Sequence, residues 1–147
     1  MSIHIPKSLV EQINKHGEQD YPHECCGFLY GHVSGEERHI TELRMQSNER
    51  EDSRENRFLI SPDEFMQAER YARKTGLDML GVYHSHPDHP AIPSEFDREH
   101  AWPWYTYLIV NVGKGKAGVL KGWQLREDRS SYDELELTIE KESNIQS

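Results

Sequence analysis

The run that most constrains this chain is His84-Ser85-His86-Pro87, followed seven and ten residues after the proline by Ser94 and Asp97. It sets two imidazoles and a carboxylate within reach of a single divalent ion. The run closes an apolar segment, residues 77–83, which is short, bounded by Gly76 and Pro87, and predicted to be a buried strand. Residues two apart on a strand share a face, so the histidines point together, roughly 7 Å apart along the backbone at about 3.3 Å per residue. Ser85 points the other way.

Pro90 and Pro93 then impose a loop that resists both helix and ladder pairing and ends at Ser94. Ser94-Glu95-Phe96-Asp97 has the pattern of a helix start, with serine as N-cap and an acid three residues on. Asp97 then lies one turn inside a helix, free to aim its carboxylate back at the histidines. Two histidines and one aspartate leave a tetrahedral zinc with a fourth position for water, the open arrangement of a catalytic site. Two plainer readings stand beside this one. Ser94 and Asp97 form a cap and its acidic partner and nothing more, or two of nine histidines share a strand face by chance.

The full segment 84–97 resembles the signature of the JAMM, or MPN-plus, metallopeptidases: His-[Ser/Thr]-His-Pro, six residues, Ser, two residues, Asp, with a glutamate upstream. The match has no gap. The resemblance implies that His84, His86 and Asp97 hold one zinc ion with a bound water, that Glu24 is the general acid/base, and that Ser94 helps stabilise the oxyanion. Glu24 is one of 26 acidic residues, and no short-range spacing ties it to the histidines. Its surroundings, His23-Glu24-Cys25-Cys26-Gly27-Phe28-Leu29-Tyr30-Gly31, set a carboxylate at the mouth of an apolar strand, where desolvation favours a base. The plain alternative is a surface glutamate at a strand edge. Small bacterial members of the family resemble this Glu-x-Cys-Gly-x-x-x-Gly stretch.

The implied chemistry is hydrolysis of a peptide or isopeptide bond. Zinc acidifies its water and polarises the scissile carbonyl, Glu24 moves the proton to the leaving amine, and Ser94 donates to the oxyanion. Small stand-alone proteins of this kind resemble enzymes that trim the carboxyl end of ubiquitin-like sulfur-carrier proteins. The substrate expected here is therefore a ubiquitin-like protein whose flexible tail adds as a strand beside the site. Two other classes compete. A non-catalytic MPN scaffold usually lacks the ligands, which this chain keeps; a zinc deaminase of related architecture needs a Pro-Cys-x-x-Cys pair, which this chain lacks.

Length and composition fit one JAMM/MPN domain over residues 1–147. No run of eighteen apolar residues spans a membrane, and the start Met-Ser-Ile-His-Ile-Pro-Lys lacks the apolar centre of a secretory signal, so a cytoplasmic protein is expected. A net charge of -9 with no basic stripe disfavours nucleic acid. Cys25 and Cys26 are adjacent, poor geometry for a disulfide, and are expected as buried small apolar residues.

The coarse plan is an α/β one: a mixed β-sheet flanked by helices, the JAMM/MPN (cytidine-deaminase-like) architecture that the resemblance implies. Helices are expected near 7–19, from Ser61-Pro62 to about Lys74, and from Ser94; strands near 26–33, 37–45, 58–61, 77–86, 105–112, 117–126 and 135–139. Residues 46–57 are a solvated loop or a lip that orders over substrate. His89 and His100 are expected outside the ligand set, since a fourth protein ligand would close the water position. Trp102-Pro103-Trp104-Tyr105 packs where helix hands over to strand, or else forms an exposed docking patch.

Overall fold

Alternating strands and helices fill residues 1–46 and 60–141, the part of the chain that the computed structural model describes. In chain order they are β1 (Ser2–Pro6), α1 (Lys7–Asp20), β2 (Cys26–Ser34), β3 (Glu37–Gln46), α2 (Pro62–Thr75), β4 (Asp78–Pro87), α3 (Glu95–His100), β5 (Thr106–Gly113), β6 (Lys116–Leu125) and β7 (Tyr132–Glu140). Beyond Gln46, the polar 46–57 segment lies outside the described residues, as do residues 58–59 of the strand expected at 58–61.

Local signals set the helix bounds. Leu9, Val10, Ile13, His16 and Gly17 form the buried stripe of α1 at helical spacing. In α2, Ser61 and Glu64 exchange backbone and side-chain bonds in a full capping box, Pro62 takes the first turn, and Gly76 ends the helix at a φ of 77°. Only glycine adopts that left-handed conformation without strain.

The expected mixed sheet is present, and it goes further by closing on itself in the order β1-β3-β2-β4-β5-β6-β7. β1 closes the ring by running parallel to both β3 and β7. Sequence inspection passed over this strand, because five residues ending in proline carry little pattern and the segment was weighed only as a signal. Its alternation is nonetheless regular, with Ile3 and Ile5 fully buried.

Strand alternation sorts the interior into two clusters. Ile3, Ile13, Leu29, Tyr83, Leu108 and Val110 gather with α1, while Phe28, Tyr30, Val82, Tyr105 and Tyr107 gather with Ala68 and Ala72 of α2. His84 lies two residues beyond Val82 on β4 and so falls on the α2 side. Tyr83, on the α1 side, is hydrogen-bonded through its hydroxyl with Nδ1 of His16 at 2.8 Å and lies across Gly27, where an added Cβ would come within 2.3 Å of the ring. Gly27→Ala should therefore lower stability by about 2–3 kcal/mol through overpacking, measurable as a drop in the unfolding midpoint in urea.

Candidate active site

The site forms where β4 hands over to α3. β4 pairs antiparallel with β2 as far as His84 and parallel with β5 as far as Pro87. The parallel β4–α3–β5 crossover brings that end against the first turn of α3, where open α/β sheets place their ligands.

His84 Nε2, His86 Nε2 and Asp97 Oδ2 form a small triangle with sides of 3.2 Å, 3.1 Å and 3.4 Å. Ligand atoms around a tetrahedral zinc with bonds near 2.0–2.1 Å stand about 3.3 Å apart, so these three atoms fit one face of such an ion. The imidazole orientation fits as well. His86 Nδ1 lies 2.8 Å from the Pro90 carbonyl, which can only accept, so Nδ1 carries the proton and Nε2 presents its lone pair. Burial lowers the His84 pKa, with Asp97 opposing, which favours the neutral ring that a metal requires. Burial alone would raise the Asp97 carboxyl, but the facing imidazoles of His84 and His86 and the Ser94 backbone N–H hold it well below the usual carboxylate range.

Asp97 also belongs to the helix cap. Ser94 N–H donates to Asp97 Oδ2 at 2.8 Å, and Asp97 N–H donates to Ser94 Oγ at 3.1 Å. The same carboxylate oxygen that caps the helix thus faces the histidines, so capping and ligation are one arrangement rather than rival readings. Since Ser94 Oγ accepts from the backbone, its own proton stays available for another acceptor.

Glu24 lies two residues before β2, the strand that pairs with the histidine strand. Cys26 pairs with His84, and the ladder continues as Cys25 N–H donates to Ser85 Oγ at 2.8 Å and Ser85 N–H donates to the Cys25 carbonyl at 3.2 Å. Continued one step further, the same alternation would put Glu24 opposite His86. It is only 4 % exposed, which removes the surface-glutamate alternative. Ser85 therefore points away from the histidines as expected and ties the glutamate segment to β4, a role that sequence reasoning missed.

Cys25 and Cys26 are free and buried, as expected. Burial pushes the Cys25 thiol up to about 12 and Cys26 further, so neither supplies a thiolate nucleophile near neutral pH. His89 and His100 stay out of the His84–His86–Asp97 group. His100 bonds through Nδ1 to the Phe96 carbonyl at 2.9 Å and stacks on Phe96, while the His89 carbonyl accepts from Asn111.

Beside His84 and Asp97 runs a groove of about 700 Å³ between α2, α3 and the start of β5. Trp102 and Trp104 line it, 49 % and 58 % exposed, whereas Tyr105 is buried. The packing expected for the whole Trp102-to-Tyr105 cluster thus holds for the tyrosine and fails for both tryptophans.

A closed mixed sheet with this donor set at a strand-to-helix junction defines a JAB/MPN-type domain. Residues 6–126 match the family of prokaryotic homologs of the JAB domain, and the chain belongs to that family. Over 122 residues it is 33% identical to the desampylase of Haloferax volcanii, covering 82% of this chain and 86% of that protein. It is also 29% identical over 118 residues to a Thermus thermophilus protein named probable TtuB-protein conjugate cleaving protease, covering 80% and 76%. The solution structure of a Desulfitobacterium hafniense protein superposes with a TM-score of 0.79 at 33% identity, over 97% of this chain and 95% of that one.

Proposed function

We propose that this protein is a zinc-dependent hydrolase that cleaves a peptide or isopeptide bond at the carboxyl tail of a ubiquitin-like or sulfur-carrier protein. The observation that carries the reading is the triangle of donors formed by His84, His86 and Asp97. The relatives named as a desampylase and as a conjugate-cleaving protease support the reaction class and the kind of substrate. A scaffold function finds less support, since a module with no catalysis has no use for a complete donor set. A single domain over residues 1–147, cytidine-deaminase-like in architecture and working in the cytoplasm, belongs to the same reading.

In this mechanism His84, His86 and Asp97 hold the ion. Zinc bound there supplies Lewis acidity, polarising the scissile carbonyl and acidifying a water to a pKa of about 7. Glu24 takes the proton of the attacking water and returns it to the leaving amine. The Ser94 hydroxyl donates its free proton to the developing oxyanion. Asp97 receives the Ser94 backbone N–H, which fixes serine and aspartate relative to each other. The groove lined by Trp102 and Trp104 takes the extended tail, its aromatic walls burying apolar side chains and excluding water.

Ser94→Ala should reduce turnover by about 100-fold, as for loss of one oxyanion donor, while the lost cap costs about 1 kcal/mol of stability. Steady-state kinetics beside thermal unfolding separates the two effects. A large stability loss with normal turnover would return Ser94 to a purely capping role. The reading as a whole is tested by incubating the zinc-loaded protein with a ubiquitin-like protein ending in Gly-Gly and joined through its tail to a lysine. Mass spectrometry should find the intact carrier with a free terminal carboxylate; an uncleaved conjugate would reject it.

A further inference from the structure

We propose a second metal site, built on the outer face of the sheet where β1, β3 and β7 meet. His4 of β1 and His39 of β3 are direct partners in the parallel ladder, and Glu140 stands at the end of β7. Ile3, Ile5 and Ile40 turn inward, so His4 and His39 both turn outward. His4, His39 and Glu140 each offer a ligand atom within 4.8 Å of the others. His4 Nδ1 already lies 3.3 Å from Glu140 Oε2.

The surrounding groups orient this donor set. Glu37, two residues before His39, sets Oε1 3.1 Å from His39 Nε2 and Oε2 3.8 Å from His4 Nε2. Ser2 Oγ lies 3.2 Å from the same His4 nitrogen. One carboxylate therefore faces both Nε2 atoms. With its Nε2 proton held there, His4 keeps the Nδ1 lone pair for an ion, the carboxylate–histidine–metal arrangement, and His39 offers a ring nitrogen beside it. The two rings lie nearly parallel, 4.8 Å apart at an interplanar angle of 18°, and His32 of β2 stacks on the far side of His39.

Two imidazoles and a carboxylate select a divalent ion of the zinc, nickel or copper class over magnesium or calcium. The donors come from strands already locked in a ladder, so little order has to be gained on binding. The position also gives the ion a task. β1 is joined to β3 only through Ser2, Ile3 and His4, and this short seam closes the ring of strands. An ion bridging β1, β3 and β7 would staple it. None of these residues belongs to the His84 site, so this inference stands or falls separately from the catalytic one.

The test compares bound zinc per chain, by native mass spectrometry, in the wild-type, His39→Gln and Glu140→Gln proteins titrated with zinc chloride. His39→Gln should hold one ion fewer than the wild type, whatever the His84 site holds, and Glu140→Gln should bind that ion at least tenfold more weakly. Zinc should also raise the unfolding temperature of the Asp97→Ala protein. In the wild type, where folding is not in question, the His4 and His39 ring resonances should shift as zinc is added. Equal zinc content in the wild type and His39→Gln, or unmoved His4 and His39 resonances, would overturn the proposal.

Discussion

Glu24→Gln is expected to lower turnover by about 10³-fold while zinc stays bound. The amide keeps the size of the carboxylate and retains an acceptor oxygen but cannot take up a proton, so the change removes proton transfer with little else. The location makes the result informative. Glu24 is buried, and the reciprocal bonds between its neighbour Cys25 and Ser85 tie its segment to the histidine strand. Metal analysis beside single-turnover rates decides the role. Zinc lost together with activity would make Glu24 a ligand instead of a base, and unchanged turnover would remove it from the chemistry.

His84→Ala and Asp97→Ala are expected to lose the zinc of this site, one ion per chain, together with activity, the latter to below detection. Three donors with edges of 3.1–3.4 Å leave no spare ligand in the group, so deleting one leaves the ion two protein ligands. The two variants differ in their cost to the fold. Asp97→Ala also removes half of a capping box and costs about 1 kcal/mol, whereas His84→Ala empties a fully buried position between β2 and β5. Zinc content and thermal unfolding on the same samples separate lost metal from lost structure. Full zinc retention in either variant would show that the ion lies elsewhere.

The His84–His86–Asp97 triangle was legible in the sequence because its members come from the end of one strand and the start of the next helix. Strand alternation aligned His84 with His86, and the cap at Ser94 fixed how Asp97 points back. Glu24 was not legible from its own neighbourhood. Its segment is tied to the histidine strand by the antiparallel pairing of β2 with β4, between segments some sixty residues apart, and only the family resemblance selected it. Pro90, whose carbonyl sets the His86 tautomer, carries no chemical signal in sequence; its place was read only as a loop.

The same contrast governs the fold. α1 and α2 followed their apolar stripes, the Ser61 cap and the Gly76 stop to within a residue or two. Closure of the sheet depends on β1, whose two inward isoleucines are too few to register as a period. Trp102 and Trp104 were expected to pack because aromatic clusters usually do, and they instead line the groove beside the donors.

The most direct test of a zinc hydrolase built on His84, His86 and Asp97 is cleavage of a ubiquitin-like conjugate by one preparation, first stripped of metal and then titrated with zinc. Cleavage should be absent from the stripped protein, return as zinc is added, and fail to return in the Asp97→Ala protein. Equal rates from the stripped and zinc-loaded proteins, or no cleavage with zinc bound, would contradict it.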